Sequence, residues 1–172
     1  ITFNVTSDVQ DFVANPSTNF GWVILESNET TNGTRRYYYS SEYSNDTSLR
    51  PQLLVTYTLP DLTVKDITFN NTSPVETNNI TITVNISNLE DATADNATVQ
   101  LNISRWDGSS WVFEETKEKN VTISGSSSTL VNFTWTADLG THLFNVTVDP
   151  DDSIDESNES NNNNSTNYLS LI

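Results

Sequence analysis

Ile80-Thr81-Ile82-Thr83-Val84-Asn85-Ile86-Ser87-Asn88 alternates aliphatic and polar residues without a break. Successive side chains on an extended chain point to opposite faces, so this run buries one face and wets the other. The same period of two recurs downstream. Val99, Leu101 and Ile103 alternate with Gln100, Asn102 and Ser104, and Val131, Phe133 and Trp135 with Asn132 and Thr134. Phe144, Val146 and Val148 alternate with Asn145 and Thr147. Turn signals fall between these runs: Asn71 to Pro74, Leu89 to Asp95, Trp106-Asp107-Gly108-Ser109-Ser110-Trp111, Gly125 to Ser128, and Leu139-Gly140. Asp-Gly between strand-like runs marks a hairpin. Strands are predicted near 61–69, 79–88, 96–106, 110–117, 119–124, 129–136, 141–149 and 164–171. The fold class is all-β, built of antiparallel β-sandwiches. Upstream, Ser7 through Val13 reads as one short helix with Ser7 as N-cap. Arg35 to Tyr39 reads as a strand.

Sixteen Asn residues stand in Asn-x-Ser/Thr with x other than Pro. They are Asn4, Asn28, Asn32, Asn45, Asn70, Asn71, Asn79, Asn85, Asn96, Asn102, Asn120, Asn132, Asn145, Asn158, Asn163 and Asn164. Random order of the same composition would give roughly six, so residue order itself favours this acceptor pattern for N-linked glycan. Asn85, Asn102, Asn120, Asn132 and Asn145 fall on the polar phase of their strands. A glycan is too large and hydrated for a core, so the phase agrees with use. The alternative is that Asn and Thr merely alternate on wet strand faces.

Composition narrows the function classes. The chain has 172 residues, a net charge of −16 and a hydrophobic fraction of 34% rich in strand-forming types. A nucleic-acid backbone or an anionic membrane needs a basic footprint, which 7 Lys and Arg against 23 Asp and Glu do not supply. With no Cys, disulfides are excluded and the strands must hold by packing and hydrogen bonding. No signal peptide or long apolar run is present, and the chain opens at Ile1 in what reads as mid-strand. An export signal or anchor is expected outside it.

Pro60 cannot donate to a ladder and places a boundary near Leu59-Pro60-Asp61, giving domains 1–59 and 60–172. Among possible sites, the densest is Asp149 to Glu159. Asp149, Asp151, Asp152 and Asp155 are hard oxygen donors suited to calcium, although the EF-hand Gly and Glu are missing. The other reading is a turn in which Asp149 and Asn161 bond local backbone and the acids face solvent. Trp106 and Trp111 flank one turn and could pair across it or stack on sugar rings. Trp22 and Trp135 read as core. The one histidine, His142, sits in the polar approach Gly140-Thr141-His142 to a strand and reads as a surface or strand-end residue, a poor zinc ligand without Cys or a convergent partner. No catalytic constellation emerges.

From Pro60 onward the sequence resembles the CARDB family, the cell-adhesion-related domain of bacterial and archaeal surface proteins. The resemblance is carried by Pro60-Asp61-Leu62-Thr63-Val64, Ile80 to Asn88, Phe133-Thr134-Trp135, Gly140-Thr141-His142 and, above all, the closing string Val148 to Asn162. It implies a fibronectin-III/Ig-like sandwich of seven or eight strands. Residues 1–59 resemble the C-terminal part of a DNRLRE-type domain, related to disaggregatases and some carbohydrate-binding modules. That likeness rests on Val9 to Val13, Asn19-Phe20-Gly21-Trp22, Tyr39 to Tyr43 and Leu49 to Tyr57. It implies a partial jelly-roll-like first domain, either truncated or completed by a neighbouring chain.

The sequence thus reads as a non-enzymatic, N-glycosylated extracellular structural or adhesion protein of a prokaryotic, archaeal cell surface, a subunit of a stalk, sheath or filament. Its expected partners are copies of itself or neighbouring surface proteins, through strand edges or domain ends. The alternative is a carbohydrate-binding accessory module of a secreted polysaccharide-active protein. Covalent N-linked glycans are the expected modification and calcium the candidate ion.

Overall fold

The computed structural model describes residues 2–23 and 38–170, and the chain divides into two compact units, Ile1–Leu53 and Leu54–Ile172. The second unit is a two-sheet sandwich of seven antiparallel strands. They are β1 (Leu62–Phe69), β2 (Asn79–Asn88), β3 (Ala94–Trp106), β4 (Trp111–Ile123), β5 (Ser128–Thr136), β6 (Gly140–Val148) and β7 (Asn163–Ser170). One sheet runs β1-β2-β5 and the other β4-β3-β6-β7, the Ig-like arrangement.

The alternating residues meet between the sheets. Ile80, Ile82, Val84 and Ile86 of β2 are fully buried, as are Val99, Leu101 and Ile103 of β3 and Phe144, Val146 and Val148 of β6. Their polar neighbours lie on the outer faces, as the period of two requires. At one end Trp135 packs edge-to-face on Phe144, with ring centroids 5.2 Å apart, and Phe69 stacks on Tyr168 at 4.1 Å. Tyr168 reaches out of this cluster to donate its hydroxyl proton to the Asn71 carbonyl. Burial pushes its phenol pKa up.

Two expected strands, 110–117 and 119–124, are one continuous β4. Nothing in Lys117-Glu118-Lys119 breaks a strand. The irregularity lies elsewhere: Ile103 pairs with Glu115 and Ser104 with Phe113, leaving Glu114 as the extra residue of a β-bulge. β3 carries a second shift between Ala94 and Ala97, and β1 a third irregularity, a bulge at Lys65. β4 also turns the half-buried Lys117 toward the core side, opposite Leu101. Bulges and inward charges blunt β1 and β4 as free edges, whereas β5 and β7 keep a regular register.

Gly125 closes the β4–β5 turn against the β2–β3 loop. A Cβ there would overlap the Asp91 backbone carbonyl. The approach is held by Ser126 N–H donating to the Glu90 carbonyl at 2.7 Å and Ser126 Oγ donating to Asp91 at 2.7 Å. Gly125→Ala is expected to cost about 2–3 kcal/mol, because the clash is with backbone rather than a movable side chain. A urea melt in which the variant matches the parent would contradict this contact.

The first unit differs from the expectation of a partial jelly roll. Among its described residues it carries helix α1 (Thr6–Ala14), two short 3-10 turns and no strand. The helix covers the expected 7–13, but Ser7 is not its cap. Val5 occupies that place, and Asn4 Oδ1 accepts from Thr6 N–H instead. Trp22 is half exposed rather than core. Its indole donates to Asp8 at 2.7 Å and its ring lies 5.4 Å from Phe12. Tyr38 and Tyr39 lie outside any strand, and residues 51–60 run without a ladder partner. The rest of the strand expected at Arg35 to Tyr39, with Asn28 and Asn32, lies outside the described residues.

Candidate functional site

Fourteen of the sixteen acceptor-pattern Asn residues are described, and none is buried. Asn4, Asn45, Asn70, Asn79, Asn96, Asn120, Asn132, Asn158 and Asn163 are exposed, while Asn71, Asn85, Asn102, Asn145 and Asn164 are half-buried. The hydrogen bonds sort them further, because a glycan attaches through Nδ2. At Asn79 and Asn132 only Oδ1 is engaged, accepting from Thr136 and Thr83. At Asn158 Oδ1 accepts from Ser160 N–H and Oγ. At Asn164 Nδ2 itself donates inward to the Val64 carbonyl at 3.2 Å. Asn102 and Asn145 stand directly opposite on β3 and β6, too close for two bulky groups side by side.

Trp106 and Trp111 pair across the hairpin as cross-strand neighbours, edge-to-face at 5.3 Å. Asp107 builds the turn between them, its Oδ1 accepting from Ser109 and Ser110 N–H at 2.8 Å each, with Gly108 at φ +104°. Those bonds hold the Asp107 carboxyl below its ordinary pKa. Both indoles are partly exposed, and Phe113 beside them is mostly so.

The closing acidic segment resolves into a hydrogen-bonded seam. Asp149 is buried in a left-handed conformation, φ +48°. Its Oδ1 accepts from Ser153 Oγ at 2.6 Å and its Oδ2 from Ile154 N–H at 2.8 Å. Asp151, Asp152 and Asp155 are exposed and do not converge with it within ligand distance. The turn reading therefore describes Asp149, but Asn161 departs from it, donating to the Asp61 side chain at 2.8 Å. Sequence reasoning missed the buried centre, Glu156. Its carboxylate accepts from Leu62 N–H and from Asn162 Nδ2, joining the start of β1 to the loop before β7. Burial raises its pKa to about 7, against those two hydrogen bonds and with help from nearby Glu159 and Asp149.

His142 stands near the start of β6, as its strand-end reading has it, but not on the surface. It is fully buried, on the inner phase of β6 two residues before Phe144, with Trp135 edge-to-face at 4.8 Å. Neither ring nitrogen has a well-directed hydrogen-bond partner. Nε2 lies 3.5 Å from Glu114 Oε2, whose other oxygen accepts from Arg105 Nε at 2.8 Å. Asp138 completes a group whose donor atoms all lie within 4.8 Å of one another. Burial lowers the imidazole pKa, opposed by Glu114, Asp138 and the Gly140 backbone and reinforced by Arg105. The bulge aims Glu114 here, a signal no simple alternation carries.

A model of the CARDB family matches residues 59–166. The chain belongs to the CARDB family. A CARDB domain from Pyrococcus furiosus, solved in complex with di-metal ions, is similar at 24% identity and TM-score 0.56. The match covers 69% of this chain and all of that one. A domain of a protein designated a cell surface protein, from Methanosarcina acetivorans, shares 27% identity over 66% of this chain and 94% of its own, with TM-score 0.51. No curated protein matches. CARDB is a family of non-catalytic domains, and the Methanosarcina protein is designated a cell surface protein. Among the described residues no helix is long and apolar enough to cross a membrane.

Proposed function

We propose that this CARDB protein is a non-enzymatic, heavily N-glycosylated structural or adhesion unit of an archaeal cell surface, exported and assembled into a stalk, sheath or filament. The observation that carries this reading is the fourteen described acceptor Asn residues, not one of them buried. The surface designation of the Methanosarcina relative supports the location. Glycan would shield the outer sheet faces, leaving the regular edges β5 and β7 and the domain ends for neighbouring subunits. Residues 1–59 are read as the C-terminal part of a DNRLRE-type module on their motifs alone.

Glycopeptide mass spectrometry of native material tests the coat. Asn79, Asn132 and Asn158 are expected to be occupied, Asn164 bare, and Asn102 and Asn145 not modified together. Unmodified Asn throughout would sink the glycoprotein reading. Electron microscopy showing only monomers would sink the filament.

The exposed aromatic hairpin favours a second reading, a carbohydrate-binding accessory module. In that case Trp106→Ala or Trp111→Ala should abolish binding on a glycan array, since each stacking ring is worth about 1 kcal/mol or more. Binding that survives both substitutions would exclude the hairpin as a sugar site.

A further inference from the structure

A buried imidazole ordinarily finds hydrogen-bond partners for its nitrogens. His142, the chain's one histidine, is fully buried; the Gly140 backbone lies near enough to favour its protonated form, but neither nitrogen makes a hydrogen bond of full geometry. Its ring lies beside two carboxylates at the rim, Glu114 from the β4 bulge, which Nε2 faces, and Asp138 from the crossover between β5 and β6. The 3.5 Å between Nε2 and Glu114 Oε2 is long for a hydrogen bond. It does match two ligands on one tetrahedral ion, where metal–donor bonds of about 2.0–2.2 Å put donors roughly 3.4 Å apart. Asp138 is exposed, its Oδ1 accepts from Leu139 N–H at 2.7 Å, and it brings a carboxylate oxygen within 4.8 Å of the other two donors.

We propose that Glu114, Asp138 and His142 form a binding site for a zinc-class divalent transition-metal ion. One imidazole with two carboxylates suits zinc or a similar first-row ion, whereas calcium and magnesium prefer oxygen donors alone. Three protein ligands leave the fourth position to water, which the exposed carboxylates admit. Arg105 fixes the bulge residue from outside by holding Glu114 Oε1, the part an outer partner plays at metal sites, and its charge moderates affinity. A bound ion would tie the β4 edge of one sheet to the crossover that leaves the other.

An acidic surface of this charge collects cations without a site, so the readout must be local. The chelator-stripped chain would be titrated with zinc chloride while the imidazole nitrogen resonances are followed by NMR; a single histidine makes assignment unambiguous. One equivalent of zinc is expected to shift Nε2 and raise the melting temperature, and calcium chloride at the same concentration to leave the ring unmoved. Asp138→Asn and Glu114→Gln, both at exposed positions, should each weaken zinc binding at least tenfold. Unmoved ring resonances under excess zinc would overturn the site. So would a ring shift that both variants reproduce at parental affinity.

Discussion

Trp135→Ala is expected to cost about 3–5 kcal/mol, the range for deleting a large buried aromatic. The indole is almost wholly buried on β5 and touches rings from the facing sheet: Phe144 at 5.2 Å, His142 at 4.8 Å and Tyr168 at 6.0 Å. These contacts join β5 to β6 and β7 across the sandwich, so truncation opens a cavity that short neighbours cannot fill. Trp135→Phe keeps a ring in place and should recover much of the loss. The check is the midpoint of guanidinium unfolding for the parent and both variants. A loss under 1 kcal/mol for the alanine variant would mean that this end of the core collapses freely.

Strand parity explains why so much of this sandwich was legible. From Ile80 to Ile86 and from Val99 to Ile103 every second residue is apolar, and every one is buried. The residues that were misread are those where parity and chemistry disagree. His142 stands on the inner phase set by Phe144, Val146 and Val148, yet a polar residue after Gly140-Thr141 reads as surface. Extending the β6 alternation by one step would have placed it inside. Glu114 was not legible at all, because a bulge inserts a residue and resets the phase without a sequence mark. Glu156 and Asn162 hide in a run of polar residues, where hydrophobic periodicity has nothing to report. Their burial comes from the fold bringing Leu62 N–H over the loop, a contact 94 residues distant in sequence.

Glu156 is expected to make stability pH-dependent in an unusual direction. Its folded pKa is raised from 4.5 to about 7, so between those values the folded protein binds more protons than the unfolded chain. Stability from this group is therefore highest below about pH 4.5 and falls as pH rises toward 7, by on the order of 2–3 kcal/mol. Glu156→Gln removes the titration while keeping an acceptor for Leu62 N–H. Its new amide N–H can be met by Asn162, whose Oδ1 is buried without a partner, if that amide turns over. The glutamine variant should thus match or exceed the parent above pH 7 and lose this slope between pH 4.5 and 7. Glu156→Ala instead strands Leu62 N–H and the Asn162 amide in a dry seam, costing about 2–4 kcal/mol relative to the glutamine variant at every pH. Urea unfolding of all three proteins from pH 4 to 8 separates the cases. Parallel curves for parent and glutamine variant would show that the carboxylate is ionised throughout, its two donors outweighing burial.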